Sequence, residues 1–267
     1  MDVHRLPDIA EKVRRLILEI ACRSRSAHVG SSLSCVDILT TLYFHAMKID
    51  KNDWKNRDIF VLSKAHAAMA LYSTLACKGI ISMKKLSGYM QNDGTLPAHL
   101  DRFTSPGIEV SAGSLGHGFN IAIGMAHGYK LKRDGRRVFA LIGDGESEEG
   151  SIWEGAMFAS KLKLDNLTVI MDRNDLQGYG RPSELCHFEP MEDKWKAFGW
   201  KALRVDGHSF TELKGALKGG EKGKPKVIIA ETTKGKGVPF MEDEMKWHYF
   251  IVTDELREEA MRHLCKY

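Results

Sequence analysis

The sequence predicts an α/β fold, a doubly wound, mostly parallel sheet with helices on both faces, and three observations carry the prediction. Short apolar runs at residues 59–62, from Val138 to Gly143, ending at Asp172, at 200–205 and at 227–231 alternate with segments of helical spacing. Ile59-Phe-Val-Leu62 is continuously apolar, which suits a strand covered on both sides. Residues 138–180 read as strand, crossover helix and strand, the unit that builds parallel sheets.

Taken in order, Ile9, Val13, Leu16, Ile17 and Ile20 fall on one helical face, with Pro7-Asp8 as the start signal. Residues 24–32 form a small-residue loop, a second helical pattern runs from 36 to about 47, and 50–57 is polar loop. After the strand at 59–62, residues 63–66 turn into an Ala-rich helix ending near Gly79. Residues 82–90 read as helix, 92–107 as a loop with two prolines, and 111–118 open a helix to about 133. Beyond the central unit come a strand at 200–205, a helix at 209–217, an exposed Lys/Gly-rich loop at 218–226, a strand at 227–231 and a helix at 253–264.

With 267 residues, 43% hydrophobic and 28% charged, the chain is long enough for a substantial core; one large domain is expected, with two small ones as the alternative. The net charge of +4 arises from interspersed signs, not a basic block, so no nucleic-acid partner is expected. No apolar run has the length of a membrane span, and the first residues lack the pattern of a signal peptide. Cys22, Cys35, Cys77, Cys186 and Cys265 are odd in number and far apart, which points to reduced thiols and a cytoplasmic location.

Chemistry is concentrated at Gly143-Asp144-Gly145 and Asn174. Alone, Gly-Asp-Gly is an ordinary turn. Here each element comes directly after a predicted parallel strand, so a carboxylate and an amide arrive at the edge where open α/β sheets bind ligands. Magnesium takes about six hard oxygen ligands and often shares them with phosphates. Asp144, Asn174 and a backbone carbonyl just beyond could hold such an ion with a phosphorylated cofactor, the glycines allowing close approach. Ser151 and Glu154 fit a helix capping box, and Glu146, Glu148 and Glu149 read as favouring the same helix start electrostatically. On the residues alone, His66 reads first as a helix-opening histidine and Lys234 as part of a solvated Lys-Gly-Lys-Gly turn.

Gly143-Asp144-Gly145 with Asn174 resembles the thiamine diphosphate signature, and GDGESEEG, DNLTVIMDRND and LQGYG narrow the resemblance to transketolases. RSRSAHVGSSLS, FVLSKAHAAMALY, LPAHLD, EVSAGSLGHGFNIAIGMA and ETTKGKGVPF followed by WHY resemble transketolase segments in the same order, over nearly the whole chain. The resemblance implies the diphosphate-binding fold, thiamine diphosphate with Mg (or Ca or Mn), and an enzyme moving a two-carbon ketol unit from a ketose to an aldose. It assigns the metal to Asp144, Asn174 and the Leu176 carbonyl, and cofactor contacts to Ser31, His66, Gly113, Ser114, Leu115, Gly145, Asn174 and Lys234. His28, His99 and His248 would face the sugar, as imidazoles of near-neutral pKa able to move protons both ways.

Transketolases are more than twice this long, so the resemblance further implies an N-terminal subunit that works only with a separate pyrimidine-binding C-terminal subunit, in a heterotetramer of two pairs. It gives Glu154 a second possible role, at a subunit interface. Three Gly-His pairs of the family stand here as Ala27-His28, Ala65-His66 and Ala98-His99, and Tyr249 replaces a glycine after His248. Alanine at a position of positive φ would be strained; elsewhere it would narrow the pocket and alter sugar preference. The rival readings are another thiamine diphosphate enzyme, of the deoxyxylulose-phosphate synthase or 2-oxoacid dehydrogenase kind, and a non-catalytic regulatory subunit.

Overall fold

The computed structural model describes residues 5–50 and 52–264, leaving Cys265 outside the described residues. Five strands, β1 (Ile59–Leu62), β2 (Val138–Gly143), β3 (Leu167–Arg173), β4 (Lys201–Asp206) and β5 (Lys226–Glu231), form one parallel sheet in the order β1-β2-β3-β5-β4. Strand periodicity divides their side chains between two cores. Phe60, Leu62, Phe139, Leu141, Ile170, Ile228 and Ala230 face one layer; Ile59, Val61, Val138, Ala140, Ile142, Val169, Met171, Val227 and Ile229 face the other. The doubly wound arrangement predicted from the apolar runs is therefore what the chain adopts, and β4, at the sheet edge, is the only strand among those described that is mostly half-exposed.

On the first face pack α1 (Leu6–Ser24), α2 (Val29–Ser34), α3 (Val36–Thr41), α4 (Ala68–Cys77), α5 (Met83–Ser87), and later α10 (Phe210–Leu217) and α11 (Asp254–Leu264). On the second lie α6 (His117–Leu131), α7 (Gly150–Lys161) and α9 (Met191–Ala197), preceded by the short α8 (Pro182–Leu185). Helix α1 starts with Pro7 in its first turn, buries Val13, Ile17 and Ile20, and stops where Arg25 turns left-handed at φ 49°.

Several boundaries differ from the expectation. The second half of the 24–32 segment is helix, because α2 is wholly buried and gains from tertiary contacts what its small residues lack in propensity. The pattern from 36 to 47 is helical but loosens to a π-helix at Leu42–Ala46. Helices α8 and α9 lie outside the predicted elements; α9 exists by burying Met191 and Trp195. Lys226 opens β5 instead of ending the exposed loop, its ammonium donating to the carbonyls of Ala216, Lys218 and Gly219 at the end of α10.

The register decides which residues the carboxyl ends can deliver. Gly143 stands opposite Asp172, and Asp172 opposite Ala230, so β2, β3 and β5 finish level with one another. Segments after β1, β2, β3 and β5 thus meet at one sheet edge, where residues distant in sequence come within hydrogen-bond range.

Candidate functional site

A cleft of about 270 Å³ at this edge is lined by His28, Ser31, Lys64, His66, His99, Gly113, Leu115, Asp144, Gly145, Asn174, Leu176 and His248, together with Glu146, Gln177, Tyr179 and Tyr249. These residues come from segments spread over most of the chain, yet the majority of those singled out in the sequence are among them. Two are not: Lys234 lies behind the Leu176 carbonyl, and Ser114 is exposed, its carbonyl accepting from His117 N.

Asp144 is buried, its Oδ1 accepting from Gly145 N at 2.8 Å and its Oδ2 from Asp175 N at 2.7 Å. Burial, then the neighbouring charge of Asp172, raises its pKa to about 6. No cation lies within ion-pair distance of it among the described residues, whereas Asp172 is paired with Lys64. Asn174 donates to Asp172 Oδ2 at 3.2 Å while its Oδ1 accepts from Leu176 N at 3.2 Å. The Leu176 carbonyl accepts from Lys234 Nζ at 2.8 Å. One carboxylate, one amide oxygen and one carbonyl make a hard-oxygen donor set, and the unpaired buried carboxylate is the feature a divalent cation would relieve. No cluster of three or more His, Cys, Asp or Glu suited to a metal exists among the described residues, in keeping with a set that has a single carboxylate.

The glycines fit a phosphorylated ligand for a different reason. An added Cβ at Gly113 or Gly143 would meet no protein atom closer than 3.6 Å or 3.9 Å, and neither residue has positive φ. Nothing in the chain demands glycine at these two positions, while a ligand pressed against the backbone would. Gly118 is the opposite case, since its Cβ would lie 2.7 Å from the Ser63 Cα, so close packing of α6 on the turn after β1 excludes a side chain there.

Four imidazoles crowd the cleft around His28, whose ring centroid lies 5.3 Å from His66, 6.1 Å from His99 and 5.1 Å from His248. His28 has the left-handed φ of 70°, and its N–H donates to the His248 carbonyl at 3.0 Å. The strained conformation thus belongs to the histidine, not to Ala27, Ala65 or Ala98, none of which has positive φ or lines the cleft. Tyr249, by contrast, lines the cleft, its ring lying 4.6 Å from that of His248 and its hydroxyl 2.5 Å from where a Cβ on Gly178 would stand.

For His28 and His248 the expectation of near-neutral imidazole pKa values is corrected. Burial, then the charges of His99 and Lys234, lowers His28 to about 4; burial, then Lys234, lowers His248 to about 3; burial and Lys64 push His66 well below its ordinary value. These rings are neutral at pH 7 in the chain by itself, so they present one N–H donor and one acceptor each. Burial likewise lowers Lys234 to about 8. Its ammonium donates to His248 Nδ1 at 2.9 Å, and it is fully buried, so the solvated-turn reading is set aside.

Three further buried residues hold the segments of the site together. Lys64 is 1% exposed, ion-paired with Asp172 and donating to the Ser31 carbonyl at 3.1 Å. Glu146, expected as a helix-start charge, is instead a buried strut: it accepts from Ser63 Oγ, from Gly116 N at 2.8 Å and from Gly143 N at 3.1 Å. Three backbone segments are tied by that one carboxylate. Asp172 also accepts from Ser34 Oγ at 2.6 Å and from Thr232 Oγ1. A charged residue inside an apolar strand run is the signal that could have found Asp172, since such a group must be paired. The capping box at Ser151 is not formed, because α7 begins at Gly150 with Glu149 at its N-cap; Glu154 is exposed, beside exposed Met157 and Phe158.

Residues 7–263 match the family described as transketolase, thiamine diphosphate binding domain. An apulose-4-phosphate transketolase subunit of Phocaeicola vulgatus is 40% identical over 99% of this chain and 95% of its own length. The 6-deoxy-6-sulfo-D-fructose transketolase subunit SqwG of Clostridium sp. is 41% identical, the match covering 96% of this chain and 95% of that protein. Human transketolase is 38% identical, but the match covers 97% of this chain and only 42% of that protein. The solved transketolase of Campylobacter jejuni superposes with a TM-score of 0.91 at 29% identity, covering 99% of this chain and 43% of that one.

Proposed function

The chain belongs to the transketolase family, to its thiamine diphosphate binding domain, and from that premise we propose that it is the diphosphate-binding subunit of a two-chain transketolase. In this reading it is a single domain that pairs with a separate C-terminal, pyrimidine-binding subunit, two such pairs forming a heterotetramer in the cytoplasm. The coverage supports the division: nearly whole-length agreement with relatives named as subunits, against about two fifths of full-length transketolases. No helix among the described residues is long and apolar enough to cross a membrane.

Asp144, Asn174 and the Leu176 carbonyl would hold a divalent cation such as Mg²⁺, and Gly113, Leu115, Gly145, Ser31 and His66 of the cleft lining would hold thiamine diphosphate beside it, with Ser114 adjoining them in sequence and Lys234 acting from behind the Leu176 carbonyl. Bound thiamine diphosphate supplies the electron sink for breaking the bond beside a ketose carbonyl. The chain's own part is positional: His28 and His248, neutral at pH 7, together with His99 hydrogen-bond the hydroxyls of a sugar or sugar phosphate and hold protons at those oxygens, while the cleft walls exclude water. The observation carrying this reading is the buried Asp144 carboxylate without a cation, facing a cleft of four imidazoles.

The test is reconstitution. The chain alone is expected to turn over no ketose, and its complex with the partner co-purified from the native source is expected to transfer ketol units from a panel of ketose donors to aldehyde acceptors, dependent on thiamine diphosphate and metal. Full activity of the lone chain would sink the two-subunit reading. A complex that binds no thiamine diphosphate would favour a regulatory role.

Sugar choice is expected to depend on Tyr249 more than on the three alanines. Replacing Tyr249 by Gly should change the ratio of kcat/KM between a longer and a shorter acceptor by about tenfold, the usual effect of a change in pocket shape. Ala27→Gly, away from the cleft lining, should leave that ratio within about twofold on the same grounds. An unchanged profile in Tyr249→Gly refutes the assignment.

A further inference from the structure

A group of buried charge outside the cleft lies on the far side of the loop that carries Lys234. Arg14 of α1 donates to Asp37 of α3 through both terminal nitrogens, at 3.0 and 2.6 Å, and through Nε to the Lys236 carbonyl at 3.1 Å. His208 Nε2 accepts from Thr233 N at 2.9 Å, which leaves the ring proton on Nδ1, 2.7 Å from Asp37 Oδ2. One hydrogen-bonded circuit therefore starts at the amide of residue 233, runs through His208, Asp37 and Arg14, and ends at the carbonyl of residue 236.

Lys234 lies between those two ends. Its own peptide is tethered as well, since Asp243 N donates to its carbonyl and Gly235 N donates to the Gly30 carbonyl, both at 3.0 Å. Those bonds locate the loop, whereas the circuit fixes the peptides on either side and thus the direction in which the Lys234 side chain leaves it. The fit is close on the Arg14 side too: Gly237, at φ 95°, would place a Cβ 2.9 Å from Arg14 Cδ. A buried ion pair of this kind is weak evidence for stability, because desolvation offsets most of the attraction. A role in holding one conformation accounts for it better.

We infer that the Arg14–Asp37–His208 circuit is a positioning device for Lys234, His208 being the link that holds the Thr233 amide so that the ammonium reaches the Leu176 carbonyl and the diphosphate side of the cleft. This rests on the cofactor role proposed for Lys234, but the geometric part can be tested without the cofactor. Two variants separate it from simple structural support. In His208→Gln the amide reaches the position of Nε2 and can still accept from Thr233; in His208→Asn it reaches only the position of Nδ1 and keeps the Asp37 bond alone.

The full chain is pulse-labelled with acetic anhydride and the modification of each lysine read by mass spectrometry, with buried Lys226 as the internal control. Loss of one buried hydrogen bond predicts about tenfold more labelling of Lys234 in His208→Asn, with His208→Gln within about twofold of the parent and Lys226 unchanged. The device is overturned if Lys234 labels no faster in His208→Asn, if both variants rise alike, or if Lys226 rises with Lys234. In the two-chain complex the dissociation constant for thiamine diphosphate with Mg²⁺ should weaken about tenfold in His208→Asn, with kcat at saturating cofactor within about threefold. If the parent complex binds no thiamine diphosphate, the functional reading fails while the labelling result still decides the positioning device.

Discussion

Replacing Asp144 by Asn is expected to lower the ketol-transfer activity of the two-chain complex by about three orders of magnitude, through loss of metal-dependent thiamine diphosphate binding. Asp144 is the only carboxylate in the proposed donor set, and the other two groups are neutral oxygens. An amide at 144 keeps the size of the side chain but removes the charge that a divalent ion seeks. Isothermal titration of the complex with thiamine diphosphate and Mg²⁺ provides the check, and binding within about threefold of the parent would be too small for a lost metal ligand.

The same substitution should show in the acid stability of the cofactor-free chain. Between its ordinary value and about 6 the folded chain keeps the Asp144 proton that the unfolded chain has lost, so this group makes stability fall as pH rises through that window. His28, lowered to about 4, and His248, lowered to about 3, act in the opposite sense: the unfolded chain takes up their protons first, and stability falls as pH drops below the ordinary imidazole value. The two windows overlap and partly cancel in the parent. Asp144→Asn removes one side of the balance, so its thermal midpoint should fall more steeply than the parent's as pH is lowered through that overlap. Parallel curves would show that Asp144 is ionised in the folded chain throughout.

Lys64→Ala is expected to cost about 3–5 kcal/mol of stability, because it leaves the Asp172 carboxylate buried without its cation. Burial works against charge on both partners, and their mutual attraction outweighs it, holding Lys64 above and Asp172 below their ordinary values. The hydrogen bonds from Ser34, Asn174 and Thr232 to Asp172 remain, but they are neutral donors and do not replace the ammonium. Urea unfolding measures the loss, and Lys64→Met with Asp172→Asn should recover part of it, since no lone buried charge is then left. A cost below about 1 kcal/mol for Lys64→Ala would mean that the pair is solvated.

Asp144 and Asn174 are legible in the chain because each comes just after an apolar run that could only be a buried parallel strand, and such strands bring the residues at their carboxyl ends to one edge. Lys64 and Glu146 are not, because their roles are contacts with partners far along the chain, Asp172 for one and Ser63 and Gly116 for the other. Local pattern says nothing about such pairs. The capping box failed because Ser151 had the right spacing but the helix had already begun at Gly150, where packing of α7 on the sheet outweighs about 1 kcal/mol of capping energy.

By itself, then, the sequence determined the sheet, its two covered faces and the edge at which the candidate site lies, because hydrophobic period and strand-end residues are local properties. Only the tertiary structure decided the charge states and the fine aim of the site. Whether an imidazole is neutral, whether a lysine is solvated or sealed behind a carbonyl, and whether Tyr249 or the three alanines line the cleft all depend on desolvation and on neighbours brought together from distant segments. Those energies exist only once the chain has closed around them.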